Sequence, residues 1–505
     1  MTARGLAAFG VTRSVLVRNT VWNLLGQGAP ILAALFAIPR LVASLGTERF
    51  GVLTLAWTVI GYFSFFDLGV GRALTKLVAE RYGERREEEI PPLIWTALLA
   101  MTLFGICGAI VFQLLSPRLI RHTLNIPNAL QPETLHAFYL LALSLPIVIT
   151  TAGLRGILEA LQRFDLVNVV RVPLGLFTFL GPLLVLPFSR SLFWIVLVLV
   201  VGRLCTLLVH FGLCLHVAPS LRHRIAFEQR LVAPLLHLGS WMTASNILGP
   251  LLEYLDRFLI GSLISMTAVA YYTTPYEVIT KVRLIPAALV GVLFPAFAST
   301  FASDKKRTER LFRVGVKCMF LVLFPITLLA ITFAHEGLAA WLGPAFAINS
   351  TRVLQWLAIG VLLNSLAQVP FALIQGVGRP DVTAKLHLIE LPLYATTLWF
   401  LVGRYGILGA AVAWVLRVAV DTTCLFGIAL RVLRTSSRVK WNMALTLAGA
   451  LVVLTYSTVP ANPAMKGLFV GLTLGAFVLV GWLVILSSEE RAELRRSIRT
   501  VDSLS

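Results

Sequence analysis

Long apolar segments joined by short polar connections dominate this sequence and limit the folds that are open to it. Hydrophobic residues make up 58% of the 505 residues, charged residues make up 13%, and the mean hydropathy is +0.85. A helix needs about 20 apolar residues to cross a hydrocarbon core of about 30 Å, and many segments reach that length. We therefore predict an all-α polytopic membrane protein with about fourteen transmembrane helices. The predicted spans are 20–45, 50–68, 91–115, 136–158, 166–187, 190–217, 233–263, 269–300, 311–334, 352–376, 382–402, 406–432, 441–459 and 465–486.

The first twelve spans form two sets of six, in which marker residues recur in the same order. Arg40 near the end of the first span corresponds to Arg257 in the seventh, and Arg163-Phe164-Asp165 corresponds to Arg379-Pro380-Asp381. Because six is an even number, both halves enter the membrane from the same face, which predicts two parallel lobes. A duplicated bundle of this kind is typical of transporters, whose substrate site lies between the halves.

This repeat sets the predicted domain organisation, and the charges set the predicted orientation. Lys and Arg concentrate in the connections after every second span, so the positive-inside rule places both termini in the cytoplasm. Short cytoplasmic loops also account for the net charge of +19, and no basic groove with interleaved aromatic residues suggests nucleic acid. The predicted parts are a cytoplasmic segment 1–19, a first lobe 20–218, a second lobe 219–432, two further spans within 433–486, and a cytoplasmic tail 487–505.

Sequence motifs of enzymes and metal sites are missing. The sequence has no Walker loop, and its five cysteines all fall within apolar segments without paired spacing. The eight histidines show no metal-ligand spacing, and the longest outer connection, about 116–135, has no paired carboxylates for acid–base catalysis. We therefore predict a transporter that is not an enzyme and that uses no metal or cofactor.

Ionisable residues within the spans are the candidate functional residues, because each costs about 2.5–3.5 kcal/mol at the centre of a membrane helix. Glu253 and Arg257 are four residues apart and meet on one helix face, as do Glu277 and Lys281. Lys281 is predicted about 18 Å below the outer end of its helix, near mid-membrane. Cations outnumber the acids if Arg40 and Arg203 face the same space, and that excess favours an anionic ligand. The remaining charged positions are Asp256 and Arg283, with Arg203, Glu390, Arg417 and Asp421 as secondary candidates.

Structural roles compete with function at several of these positions. Arg40 lies about 8 Å from its helix end, so its side chain has the length to reach the interface. Arg417 and Asp421 are four residues apart, so the alternative to a functional role is a structural ion pair within one helix.

Several segments of the sequence carry a family resemblance: 38–41 with 45–51, 66–76, Ala270-Tyr271-Tyr272 and the turn 376–380. In these segments the sequence resembles the oligosaccharide flippases, the polysaccharide-transport branch of the multidrug/oligosaccharidyl-lipid/polysaccharide exporter superfamily. The arrangement of six, six and two spans extends the resemblance over essentially the whole chain and implies a fold like that of the multidrug exporters (MATE-like).

This resemblance implies a transport function. Flippases of this branch move a polyprenyl-pyrophosphate-linked glycan across the bacterial cytoplasmic membrane for O-antigen, capsule or exopolysaccharide biosynthesis. The implied partners are that glycan, membrane lipids and the polysaccharide polymerase machinery. We expect Arg257, Lys281 and Arg283, with Arg40 nearer the exit, to hold the pyrophosphate. Coupling or positioning of these cations then falls to Glu253, Asp256 and Glu277.

Three other functions stay open at the level of sequence. A multidrug or cation antiporter shares the fold, but residues 20–45 lack the acidic residue usual in its first span. A lipid II flippase shares it too, and no residue excludes that substrate. A membrane glycosyltransferase is the enzymatic alternative, and the short outer loops count against it.

Overall fold

The structure is a computed structural model. It describes the backbone of residues 13–63, 70–84, 86–223, 225–301, 303–435, 437–459 and 462–485. Side chains are described within these ranges except at 13–27, 62, 63, 83, 87, 223, 236–251, 437–440, 484 and 485. Most of the predicted segment 1–19, the tail 487–505 and part of the motif 66–76 therefore lie outside the described residues.

The described residues are helical almost throughout, as expected for a chain whose backbone polar groups must be satisfied inside a lipid core. The first helices are α1 (Arg13–Phe63), α2 (Val70–Gly83), α3 (Ile90–Arg118), α4 (Gln131–Ala160), α5 (Phe164–Val185), α6 (Leu192–Val217) and α7 (Gln229–Leu263). The helices that follow are α8 (Met266–Ile279), α9 (Leu284–Thr300), α10 (Lys305–Thr332), α11 (Ala334–Leu342), α12 (Pro344–Gly376), α13 (Pro380–Val432), α14 (Ser437–Tyr456) and α15 (Pro463–Val480).

The predicted spans coincide in the main with helices in their described parts, and the eighth is divided between α8, a 3₁₀ segment and α9. Ten helical ranges within the described residues are long and apolar enough to cross a membrane. Two of them, in α1 and α13, contain two predicted spans each, because the chain turns at a glycine instead of forming a loop. Gly46 has φ 75° and ψ 165°, and Gly406 has φ 62° and ψ −143°. Positive φ is readily available only to glycine, so these two residues allow the turns.

The chain divides into two compact units, Met1–Thr273 and Thr274–Ser505. The boundary lies within α8, further along the chain than the boundary at 218/219 that the repeat suggests, and the predicted domain organisation stays a prediction. In the first unit, α3 packs on α4, α4 on α6, and α1 on α5. In the second unit, α12 packs against α9, α10, α11 and α13.

Helices in the first unit approach closely through small residues, as is usual where lipid gives no hydrophobic drive for association. A Cβ added to Gly105 of α3 would overlap the backbone of Pro146 in α4, and one added to Gly153 would meet the side chain of Met101. A buried apolar cluster contributed mainly by α2, α3 and α4 surrounds these contacts.

The turns that end the first and seventh predicted spans contact each other within the first unit. Oγ1 of Thr47 lies 3.4 Å from Oγ1 of Thr267, and Gly51 leaves no room for a Cβ against the carbonyl of Met266. Thr47 and Thr267 lie in corresponding segments of the two halves of the repeat, so the duplicated sequence is brought together at this point.

Candidate functional site

A buried charged group lies in α7 of the first unit. Asp256 and Arg257 have 0% exposure. The backbone N–H of Arg257 donates to Oδ1 of Asp256 (2.7 Å), and the hydroxyl of Tyr272 in α8 donates to Oδ2 of the same carboxylate (2.5 Å). Both oxygens of this buried carboxyl group therefore have a hydrogen-bond partner, as buried polar groups normally do.

Arg257 extends back along its own helix, as its spacing from Glu253 predicted. Its Nη1 lies 3.4 Å from the backbone carbonyl of Glu253, and its guanidinium lies 4.6 Å from the ring centroid of Tyr254. Such a cation–π contact stabilises a guanidinium that water does not reach. Arg257 is therefore held in a fixed, enclosed position in this conformation.

The other two arginines assigned to the first unit lie in more open surroundings. Arg40 is exposed, donates from Nη1 to the carbonyl of Phe36 (2.8 Å), and places its guanidinium 3.5 Å from the ring centroid of Phe36. Arg203 of α6 is half-buried. The structure thus brings Glu253, Asp256 and Arg257 together, whereas Arg40 interacts locally within α1.

In the second unit, the eighth predicted span is interrupted where its cations lie. The apolar range Met266–Thr300 is α-helical on both sides of a 3₁₀ segment, Thr280–Arg283, which contains Lys281 and Arg283. Nζ of Lys281 lies 3.4 Å from Oε2 of Glu277, which confirms the predicted pairing at four residues. Both side chains of this pair, and that of Arg283, are half-buried. A 3₁₀ stretch inside a helix often marks a functional hinge.

A group of four ionisable side chains lies inside α13 in the second unit, on both sides of the turn at Gly406. Nη1 of Arg417 lies 3.9 Å from Oε2 of Glu390, and Nε2 of His387 lies 4.0 Å from Oδ1 of Asp421. Within the described residues, His387, Glu390 and Asp421 form one set whose ligand atoms all lie within 4.8 Å of one another. We call these three residues and Arg417 the hairpin cluster.

The hairpin cluster corrects one interpretation of the sequence, the pairing of Arg417 with Asp421 within one helix. The ion pair of Arg417 runs to Glu390 on the other leg of the hairpin, because the turn at Gly406 brings the two legs together. His387 was not identified from the sequence at all. The signal was its position three residues before Glu390, which places both side chains on one helix face.

One acidic residue of the longest predicted outer connection has a structural role. Glu133 accepts a hydrogen bond from the backbone N–H of Leu192 at the start of α6, and its Oε2 lies 3.3 Å from Nε of Arg49. It thereby links α4 to α6 and α1.

Comparison with known sequences decides the family. Residues 16–301, more than half of the chain, match the family described as "Polysaccharide biosynthesis protein". The chain belongs to this family. A "Putative O-antigen transporter" from Shigella flexneri is 32% identical to it over 411 residues, which cover 81% of this chain and 96% of that protein. The resemblance to polysaccharide-transport proteins that the motifs indicated is thereby confirmed.

Solved structures confirm the fold of this polysaccharide biosynthesis family member. An inward-facing multidrug resistance MATE transporter of the MOP superfamily superimposes with a TM-score of 0.70 at 16% identity, covering 84% of this chain and 99% of that one. The lipid II flippase MurJ in an inward closed conformation gives a TM-score of 0.70 at 12% identity, covering 92% and 99%. The predicted all-α, MATE-like, multi-pass membrane fold is therefore correct.

Proposed function

We propose that this protein is a flippase for a polyprenyl-pyrophosphate-linked oligosaccharide used in surface polysaccharide biosynthesis. It moves the lipid-linked glycan from the cytoplasmic to the outer leaflet of a bacterial cytoplasmic membrane, and both termini remain in the cytoplasm. Transport proceeds by alternating access without chemical conversion of the substrate. Family membership and the identity shared with an O-antigen transporter support this proposal.

The observation that carries the proposal is the pair of cations at the helix interruption of the second unit. Lys281 and Arg283 lie in the 3₁₀ segment within an otherwise apolar range of 35 residues. Discontinuous membrane helices commonly form the substrate sites of secondary transporters, and Arg and Lys are the usual partners of phosphate groups. A pyrophosphate supplies the negative charge that such an interruption favours.

The roles of the individual residues follow from their surroundings. Lys281 and Arg283 contact the pyrophosphate, and Glu277 positions Lys281 through the 3.4 Å contact. Arg257 reaches the substrate only in a conformation that uncovers it, because it is enclosed in the present one; Asp256 and Glu253 hold it in place. Arg40, which is exposed on α1, contacts the substrate near its exit.

Flux of a fluorescent lipid-linked glycan in proteoliposomes tests the proposal. Reconstituted wild-type protein is expected to expose the glycan on the opposite leaflet, and the double variant Lys281→Ala/Arg283→Ala is expected to lose this activity. Lys385→Ala is the matched control, since this lysine is exposed at the start of α13 and lies outside the proposed site. Gel filtration of each variant establishes that it inserts and remains monodisperse.

Other outcomes distinguish the alternative functions. Wild-type protein that moves organic cations or lipid II but no lipid-linked oligosaccharide would be an antiporter or a lipid II flippase of the same fold. Transfer of sugar to an acceptor would identify a glycosyltransferase. Full activity of the double variant would refute the assignment of Lys281 and Arg283.

A further inference from the structure

The hairpin cluster is a group of buried ionisable residues to which the proposed substrate site assigns no role. Glu390 is 4% exposed, and Asp421 and Arg417 are nearly as enclosed. Counting along the helix, Asp421 lies about 16 Å from the end of α13 at Val432, well within a bilayer. Intramembrane acids at such depth are rare and are often parts of proton or ion pathways.

The charges of the cluster do not balance. Glu390 and Asp421 carry two negative charges when ionised, Arg417 carries one positive charge, and His387 is neutral unless it is protonated. One excess negative charge therefore remains in a buried site. Two neighbouring carboxylates in such a site favour the binding of one proton, because like charges at short range disfavour ionisation of both.

Hydrogen bonding in the cluster is also incomplete, and this too favours the binding of a proton. Neither oxygen of Glu390 accepts a hydrogen bond from an N–H or O–H donor within the described part of the chain, and neither does Oδ1 of Asp421. Buried carboxylate oxygens are normally satisfied by such donors. A proton on one of the two carboxyl groups would turn one acceptor into a donor and supply the missing hydrogen bond.

We propose that His387, Glu390, Arg417 and Asp421 form a proton-binding site that couples transport to the proton gradient. The proton binds to one carboxylate of the Glu390–Asp421 pair, and that O–H donates to the other carboxylate. The two legs of the hairpin are then joined by a hydrogen bond between the two carboxyl groups, and the one remaining negative charge is balanced by Arg417. The coupling role rests on the proposed flippase function, whereas proton binding itself does not.

The groups that face the cluster from neighbouring elements leave this charge balance unchanged. Phe371 of α12 stacks on the His387 ring at 6.4 Å between centroids, and Tyr394 of α13 lies 5.4 Å from the guanidinium of Arg417. Arg352 is the only ionisable residue in the sequence of α12, about 28 Å along that helix from Phe371. Cys424, three residues beyond Asp421, is a further titratable side chain near both acids.

Neighbouring charges on α10 lie towards one end of the hairpin. Phe312 of α10 meets Phe426 of α13, five residues beyond Asp421, with ring centroids 6.0 Å apart. The charged residues of α10 within five positions of Phe312 are Arg307, Glu309, Arg310, Arg313 and Lys317. The charges that act on Glu390 and Asp421 are those of Arg417, His387 and each other.

Infrared difference spectroscopy of the full-length protein tests proton binding directly. On acidification, the wild-type protein is expected to gain a protonated-carboxyl band that is lost in Glu390→Gln and in Asp421→Asn. Asp381→Asn is the matched control, because Asp381 is an exposed acid at the start of the same helix and pairs with Lys385. Glu390→Asp, which keeps the carboxyl group, is expected to retain the band. The proposal is wrong if neither Glu390→Gln nor Asp421→Asn alters the spectrum.

Flux measurements in proteoliposomes test the coupling. Wild-type flux of the lipid-linked glycan is expected to depend on the direction of an imposed pH gradient, and Glu390→Gln flux is expected to be equal in both directions. Asp381→Asn, the exposed control on the same helix, is expected to keep the dependence. If the wild-type protein moves glycan and both Glu390→Gln and Asp421→Asn respond to the gradient normally, the coupling proposal fails while the flippase function stands.

Two further outcomes separate the remaining interpretations. If the wild-type protein moves no lipid-linked glycan under any gradient, the proposed function and the coupling role fail, and the infrared experiment still decides proton binding. Calorimetric titration with Zn²⁺ or Mn²⁺ tests whether the hairpin cluster binds a metal ion instead of a proton. Stoichiometric binding that is lost in Glu390→Gln would identify a metal site and overturn the proton proposal.

Discussion

Nη1 of Arg417 lies 3.9 Å from Oε2 of Glu390, although the two residues stand on opposite sides of Gly406 within one helical element. In an uninterrupted helix they would be about 40 Å apart at a rise of 1.5 Å per residue. The contact shows that α13 folds back on itself at Gly406, so that two predicted spans form one hairpin whose legs are joined by charged side chains.

This contact predicts energetic coupling between the two residues. Glu390→Gln and Arg417→Gln should each destabilise the protein, because Glu390→Gln removes the ion-pair partner of Arg417 and Arg417→Gln leaves two buried acids without their cation. The double variant should lose less than the sum of the two single losses, by about 0.5–3 kcal/mol. Unfolding free energies from titration with a denaturing detergent measure this difference, and simple additivity would show that the pair contributes nothing.

The turn itself depends on glycine. Gly406 adopts φ 62° and ψ −143°, a region that other residues occupy only with strain of about 1–3 kcal/mol. Gly406→Ala should therefore lower the unfolding midpoint markedly. Gly403→Ala, on the same helix, should be neutral or slightly stabilising, since its Cβ would meet nothing within 4 Å. Equal midpoints for the two variants would contradict the role of Gly406.

Tyr272 should contribute to stability through Asp256. Tyr272→Phe removes the hydroxyl that donates to Oδ2 of this fully buried carboxylate, and a hydrogen bond to a charged group is worth about 1.5–3 kcal/mol. Thermal unfolding of the purified protein measures the loss. Tyr405→Phe is the control, because Tyr405 is 58% exposed and should tolerate the change. A midpoint for Tyr272→Phe equal to that of the control would show that Asp256 gains nothing from the hydroxyl.

Glu336 of α11 gives a prediction for pH. Burial raises the pKa of its carboxyl group, but the hydrogen bonds and charge of Lys466 in α15 outweigh burial and hold that pKa below its ordinary value. A carboxyl group with a lowered pKa in the folded state stabilises the protein above the pKa of the unfolded state, about 4.3, and this contribution is lost as the pH falls through the folded-state value.

The direction of this pH dependence determines the expected result for a Glu336 variant. Glu336→Gln should lower stability at neutral pH by about 0.2–1 kcal/mol, a modest amount because the pair is partly solvated, and the difference from wild type should shrink below about pH 4. Unfolding midpoints between pH 7 and pH 3 record this convergence. A difference that grows on acidification would contradict the assigned direction.

Local features of the fold could be predicted from the sequence. Span positions follow from apolar length, because the bilayer thickness fixes how many residues a helix requires. The contact between Glu277 and Lys281 follows from helix periodicity alone. Both depend only on neighbours within one helical segment.

Features that depend on how segments fold back were harder to predict. The pairing of Glu390 with Arg417 requires knowledge of the turn at Gly406 and of which faces of the two legs meet. The enclosure of Arg257 depends on Tyr254 and on the packing around α7. The 3₁₀ segment Thr280–Arg283 contains no glycine or proline, and its local signal is Pro286, which cannot donate an α-helical hydrogen bond to the carbonyl of Val282.

The hairpin form of α13 also constrains how the chain enters the membrane during synthesis. Taken alone, the first leg would bring Glu390 into lipid and the second leg would bring Arg417, each at about 2.5–3.5 kcal/mol on insertion scales. Entering together, the two side chains neutralise each other before either meets lipid. With Gly406 as the turn and no loop between the legs, the insertion machinery must accept the second leg before it releases the first. Correct insertion of this region therefore depends on both legs. If translation stopped between them, the first leg would remain in the membrane with Glu390 lacking its partner Arg417.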